Sequence, residues 1–377
     1  MIEVFIDPQI FWFQSRGGVS RYFTEIIDFL QRSDQYSYHL PLKVHTNIHL
    51  KEKQLYNHAF SSFFSDLSFR GSIKLRNVLF QSRRFAVKEM RRKRFDVFLA
   101  SYYDTYFLPF IDDKKLVVPV HDMIHERIPE ENVDSDSVIW QKKLLMEKAA
   151  RIISVSETTK ADILKFYNSI PPGKIKVIHH GHSLAEGDLE IDILSFRFVL
   201  FVGQRSGYKN FKFLINTIAS TLRQMNLSVL CVGGGPFNSE EIALFRNLNI
   251  VSNTKQYTAN DKELHVIYHQ AECFFFPSRF EGFGLPILEA MAAGCPVVLP
   301  ATDIFREIAG EAGAYYELGR PEELLTVVNK ILLNRETRDK YVTLGKSRVK
   351  QFSWKKTMET MDVLFKEITN QNQKGSE

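Results

Sequence analysis

Two glutamates, Glu281 and Glu289, stand eight positions apart in FFFPSRFEGFGLPILEAMAAGCPVVLP, residues 274–300. Gly282, Gly284 and Pro286 lie between them. The run reads as an apolar strand, a glycine loop and a helix. Pro286 suits a first helical turn, and Gly294 followed by Pro296 suits a helix end. Free amides at a helix start attract anions, and glycines let a ligand approach the backbone closely. Acids on either side of such a site suit a polyhydroxylated phosphate ester. Glu281 would hold a sugar, the loop amides a phosphate, and Glu289 a ribose. A packed strand–loop–helix with acids near a helix dipole is the plainer alternative.

Upstream, FVGQRSGYKN at 201–210 carries a strand into Gly203, followed by Arg205 and Lys209 in a glycine-containing loop. Two cations at this spacing could reach one diphosphate, Arg as a planar fork and Lys as a point charge. Two solvated surface cations would look the same in isolation. In VVPVHDM, His121 and Asp122 end a strand-like run, where a histidine could hydrogen-bond a sugar hydroxyl. In RGGVSR, Gly17 and Gly18 precede a helix and could admit an acceptor or a phosphate. Three other patterns carry less. The DSD at 134–136 follows no strand, so no metal is assigned to it. VGGGP at 232–236 lacks the last glycine of a dinucleotide fingerprint. His179, His180 and His182 read as linker residues.

The elements that must position these residues alternate. Strand signals occur at 2–7, 96–101, 115–122 and 151–156, and again at 197–203, 228–234, 249–251, 272–277 and 296–300. Helical spacing intervenes, as in SRYFTEIIDFLQR, and a Ser156-to-Thr159 stretch suits a helix start. Alternation of this kind predicts parallel sheets covered on both faces. With 377 residues, two domains are expected. A polar connector near 185 divides them into 1–184 and 185–352, and an amphipathic helix with a polar tail fills 353–377. The fold class is α/β, two doubly wound Rossmann-like domains facing a central cleft. Ligands of open α/β sheets bind beyond the carboxyl ends of the strands, where the loops above lie.

Composition narrows the class. Hydrophobic residues make up 44% and charged residues 25%, as in soluble globular proteins. No apolar run approaches a membrane span, and the N-terminus does not read as a secretory signal. Cys231, Cys273 and Cys295 lie in apolar segments without CxxC spacing and read as buried reduced thiols in a cytosolic protein. The net charge is +5, and residues 70–94 hold ten basic residues against one acid, Glu89. Phe69, Ile73, Leu79, Phe85 and Met90 interleave with those cations. Such a segment could lie on an anionic bilayer. No nucleic-acid-binding module accompanies it.

The motif EGFGLPILEAMAAGCPVV, the E-x7-E spacing and the upstream G-x-R-x3-K-N resemble the retaining family-four glycosyltransferases of the GT-B fold. The likeness is strongest over about 200–310, and GGVSRY and VHD extend it to the N-terminal half. It implies a nucleotide-diphosphate sugar held by the C-terminal domain, an acceptor held by the N-terminal one, and no metal or other cofactor. It implies that Arg205 and Lys209 contact the donor diphosphate, with Asn210 beside them. Glu281 would bind the donor sugar with Gly282, Phe283, Gly284 and Leu285. Glu289 would bind the ribose, and His121 would lie near the sugar. Gly17, Gly18 and Asp122 would serve the acceptor, and the final helix would cross back to the N-terminal domain. The expected reaction moves a hexose, with mannose from GDP-mannose as the guess, onto a glycan or polyprenyl-diphosphate-linked acceptor for surface polysaccharide or O-antigen. The expected location is cytoplasmic, peripheral on the inner face of the plasma membrane. A GT-B sugar-nucleotide epimerase would instead turn over donor without acceptor. A non-catalytic sugar-nucleotide-binding protein would bind donor and do neither.

Overall fold

The computed structural model describes residues 1–42, 45–55, 72–131, 135–182, 188–189 and 193–374, with the helix backbone alone at 72–80, 373 and 374. Phe69, Asp134, the side chains of Ile73 and Leu79, and much of the connector near 185 lie outside the described residues. The chain divides into two compact units, Met1–His179 with Trp354–Glu377, and His180–Ser353.

In the first unit, β1 (Ile2–Ile6), β2 (Tyr36–His39), β3 (Val97–Leu99), β4 (Leu116–Val120), β5 (Arg151–Ser154) and β6 (Ile175–Val177) form one sheet. Its order is β2-β1-β3-β4-β5-β6 and all pairings are parallel. Side chains alternate between two cores, as the period of a strand requires. Val4, Ile6, Val97, Leu99, Val117 and Ile153 enter one. Phe5, Phe98, Leu116, Val118 and Ile152 enter the other. Both faces are covered, which is why these strands read as unbroken apolar runs. The helix Trp354–Lys374 belongs to this unit, with Met358, Met361, Leu364, Phe365 and Ile368 in the first of the two cores. Tyr36 donates its hydroxyl to Asp362 at 2.6 Å, and Thr357 donates to the His179 carbonyl at 2.7 Å.

In the second unit, β7 (Phe198–Val202), β8 (Ser228–Val232), β9 (Thr254–Tyr257), β10 (Phe274–Phe275), β11 (Val297–Pro300) and β12 (Gly313–Tyr316) form the other sheet. It is also wholly parallel, in the order β12-β11-β10-β7-β8-β9. The chain winds outward from β7 in one direction, then returns to β10 and winds the other way. The strand order reverses between β7 and β10, and the crevice at such a reversal is where doubly wound sheets take ligands. The corresponding reversal in the first unit lies between β1 and β3.

One strand differs from the reading of the sequence. Asn249 is left-handed, with φ 54°, and Val251–Asn253 is a 3-10 turn, so residues 249–251 are not a strand. Strand β9 starts three residues later, in the mostly polar TKQY. Ile250 is buried but Val251 is 52% exposed, so the apolar pair marks a turn that buries one side chain. All three cysteines are buried and free. Burial pushes the Cys231 thiol up to about 12 and raises Cys273 and Cys295 well above their ordinary values.

Candidate active site

The two chemistry-bearing loops of the second unit leave β7 and β10, the strands on either side of the reversal. After β7 the chain passes Gly203 at φ 122°, a 3-10 turn at Gly207–Lys209, and Asn210 at φ 57°, which heads the helix Phe211–Gln224. After β10 it runs through residues 276–284 into the helix Leu285–Ala292, with Pro286 in its first turn. The Arg279 amide donates to the Tyr208 carbonyl at 2.8 Å, which ties the loops together.

That tie brings Lys209 to Glu281. The ammonium lies 2.6 Å from Glu281 Oε1, and both side chains are more than four-fifths buried. Lys209 Nζ also sits 5.0 Å from the Tyr208 ring and 5.1 Å from the Phe276 ring. Burial alone would lower its pKa. The Glu281 carboxylate and Tyr208 more than offset that, so the pKa rises and Lys209 stays charged. Gly284 has φ 100°, and a Cβ there would stand 3.0 Å from Ile287 Cδ1, so any other residue would strain this entry to the helix. Gly282, Phe283 and Gly284 are buried, and Leu285 is partly exposed. The Phe283 ring packs edge-on against His180 at 4.8 Å and against Phe352 at 6.0 Å. Glu289 is 7% exposed, and its Oε2 accepts a hydrogen bond from Tyr268 at 3.4 Å.

Arg205 is held elsewhere. Its Nε donates to Glu241 Oε1 at 2.6 Å. Nη1 donates to the Gly233 carbonyl at 2.9 Å, and Nη2 to the carbonyls of Gly235 and Pro236 at 3.0 and 3.1 Å. The guanidinium lies 4.9 Å from the Phe237 ring. Gly233, Gly234 and Gly235 all have positive φ, which turns their carbonyls onto one cation. The VGGGP run is therefore a carbonyl cage for Arg205. A cavity of about 740 Å³ adjoins it, lined by Ser206, Lys212, Gly234, Asn238 and Glu241 among others. The structure thus pairs Lys209 with Glu281 and gives Arg205 to a separate acid.

In the first unit, His121 and Asp122 follow β4 directly. The His121 ring meets Tyr22 edge-on at 5.3 Å and Phe23 at 6.1 Å. Burial lowers its pKa to about 4, with Asp122 opposing and Lys142 adding to the fall, so the imidazole is neutral near pH 7. Gly17 caps the helix Gly18–Arg32. Its missing Cβ makes room for the Gln14 amide, whose Oε1 accepts from the Ser20 N–H at 3.2 Å.

Residues 16–186 match the model of Glycosyltransferase Family 4, and residues 194–348 match that of Glycosyl transferases group 1. The chain belongs to these glycosyltransferases. A curated relative, an uncharacterized glycosyltransferase of Methanocaldococcus jannaschii, is 26% identical over 59% of this chain and 61% of its own length. The O-antigen chain mannosyltransferase RfbU of Salmonella typhimurium is 26% identical over 52% of this chain and 55% of its own. The matches therefore span less than two thirds of these relatives. Among solved structures, Anabaena HepE in complex with UDP and glucose superimposes with a TM-score of 0.73 at 17% identity, covering 97% of this chain and 99% of that one. The glycosyltransferase has the GT-B fold, two parallel-sheet α/β units in one chain.

One feature of the glycosyltransferase lies outside the residues singled out from its sequence. At the reversal of the first sheet, Asp7 is fully buried. Its Oδ2 accepts from the Ser101 amide at 3.2 Å and the Ser101 hydroxyl at 3.1 Å, and its Oδ1 accepts from Tyr106 at 2.8 Å. Burial raises its pKa to about 7 against these hydrogen bonds. The available signal was an acid placed directly after the first strand, IEVFID. Arg83 pairs with Asp104 beside this cluster. It also lines a cavity of about 890 Å³ with Arg84, Lys88, Arg91, Arg92 and Tyr106.

Proposed function

We propose that this chain transfers a hexose, with retention and without a metal, from a nucleotide-diphosphate sugar to a glycan or polyprenyl-diphosphate-linked acceptor. The observation that carries the proposal is the Lys209–Glu281 pair, set beyond adjacent strands at the reversal of a parallel sheet and next to a helix N-terminus. In the reaction the anomeric C–O bond breaks and its electron pair goes to the diphosphate. Lys209, the loop amides and Arg205 are assigned to that growing charge, the kind of fixed electrostatic help that commonly dominates catalysis. Glu281 is assigned to the donor sugar, Glu289 to the ribose, and neutral His121 to a sugar hydroxyl. The acceptor hydroxyl attacks the same face and gives its proton to the departing phosphate. Gly17, Gly18 and Asp122 are assigned to the acceptor.

Mannose from GDP-mannose and a role in surface polysaccharide or O-antigen are the finer reading, favoured by likeness to an O-antigen mannosyltransferase. The acceptor would be met at the inner face of the plasma membrane. The cationic groove lined by Arg83, Arg84, Lys88, Arg91 and Arg92 would lie on anionic lipid there. Among the described residues no helix is long and apolar enough to cross a membrane.

Transfer assays over a panel of sugar nucleotides, with the anomeric configuration of the product read by NMR, test the reading. Lys209→Ala and Glu281→Gln are expected to lower turnover by about 10²–10³. Wild-type turnover in either removes that residue from the reaction. Chelator should leave the rate unchanged. Sedimentation with vesicles tests the groove, and equal binding to neutral and acidic lipid would end the membrane assignment.

A further inference from the structure

We infer that the buried Lys142–Glu126 ion pair is a positioning device for His121 and Asp122, fixing their main chain. The inference rests on the sugar-contact role proposed for His121.

Lys142 lies in the helix Ser135–Lys148 with its side chain 0% exposed, and the Glu126 side chain is 3% exposed. Lysine and glutamate are seldom buried this fully. An apolar pair would fill the same volume without taking two charges out of water, so stability alone does not account for them. The directions of the hydrogen bonds do. Lys142 Nζ donates to Glu126 Oε2 at 2.8 Å and to the Asp122 carbonyl at 3.1 Å, and it sits 5.0 Å from the Tyr103 ring. The Tyr103 hydroxyl in turn accepts the His121 amide at 3.3 Å. Tyr167 donates to the other oxygen of Glu126 at 2.7 Å, so the acid is anchored as well. The amide of residue 121 and the carbonyl of residue 122 are thereby both held by groups gathered around one ammonium.

The same ammonium acts on the ring. Tyr22 and Phe23 from the helix Gly18–Arg32 face the His121 ring, Tyr103 takes its amide, and Asp122 and Lys142 are charged groups that act on it. Burial and Lys142 oppose a proton on His121, and Asp122 favours one. Removing the lysine charge therefore moves the titration upward. A side chain that merely filled space would leave it in place.

The test uses the full chain. Lys142→Met combined with Glu126→Gln removes both charges at nearly constant volume. The expected result is a native circular dichroism spectrum and an upward move of the His121 titration followed by NMR. With it should come about tenfold lower kcat at an unchanged donor KM, as loss of alignment predicts. Lys142→Gln keeps a donor for the Asp122 carbonyl and serves if the double variant does not fold, with the same upward move expected. A wild-type His121 titration and wild-type kcat in a folded variant would overturn the inference. His121→Ala tests the parent role separately. Wild-type kcat there removes His121 from the reaction, while the titration in the Lys142 variants still decides what holds it.

Discussion

Asp7 shows what a single carboxyl group does when the fold withholds water from it. Its native pKa is about 7 against an ordinary 3.8. Between those values the unfolded chain has given up a proton that the native state keeps, so unfolding gains as pH rises. Stability from this group should therefore fall by about 1.4 kcal/mol per pH unit across that window and level off above it. Asp7→Asn removes the titration, and urea unfolding from pH 4 to pH 8 should show a flatter profile than wild type. An unchanged slope would mean that Asp7 is ionised in the native protein. Arg205 makes a different point at the same scale. Its charge is satisfied by Glu241 and the glycine-loop carbonyls, so a phosphate must compete with them. Glu241→Gln should weaken that competition and lower the donor KM, measured by steady-state kinetics. A raised KM would instead mark Arg205 as a support for the glycine loop. The residue types at 205, 209 and 281 were legible because cations and acids in glycine loops stand out. Their pairing was not, because it depends on where two loops distant in the chain come to rest.

Glycine and proline punctuation made the strand–loop–helix element at 274–292 readable. Gly284 marks the entry, Pro286 the first turn, and Gly294, at φ 76°, the exit. The same logic predicts the effect of altering it. Gly284→Ala puts a side chain into a left-handed conformation against Ile287, which should cost about 1–2 kcal/mol. The measurement is the urea midpoint, and the displaced loop amides should raise donor KM as well. A variant with wild-type midpoint and KM would show that the turn relaxes freely. Elements without such punctuation were lost. Strand β2 is YSYH and half polar, β6 has three residues, and β12 begins on a glycine. Their strand character comes from neighbours in the sheet, which a local reading of period and propensity does not contain. The Arg205 cage was hidden for a related reason. Three consecutive left-handed glycines look like a loop until a cation from the loop after β7 is placed among their carbonyls.

At the scale of the whole molecule, two sheets and two sets of cores follow from the alternation of strands and helices, which the sequence displays along its whole length. Each unit has its own core, but only one is a continuous piece of chain. Residues His180–Ser353 form the second unit as one uninterrupted segment. That segment expressed alone should unfold cooperatively in urea, and a featureless transition would show that it needs the rest of the chain. Removing the helix Trp354–Lys374 strips Met358, Met361, Leu364, Phe365 and Ile368 from the first unit. Core truncations of this kind cost about 2–5 kcal/mol each, and a domain's whole stability is about 5–15 kcal/mol. The truncated chain should therefore lose the protease resistance of its first unit and keep that of its second. The split also sets a timetable on the ribosome. At about 5–20 residues per second, the nascent first half waits roughly ten to forty seconds for the segment that seals it. During that wait its Val4, Ile6 and Ile26 face lies open to chaperones, while the later-born second half can finish folding first.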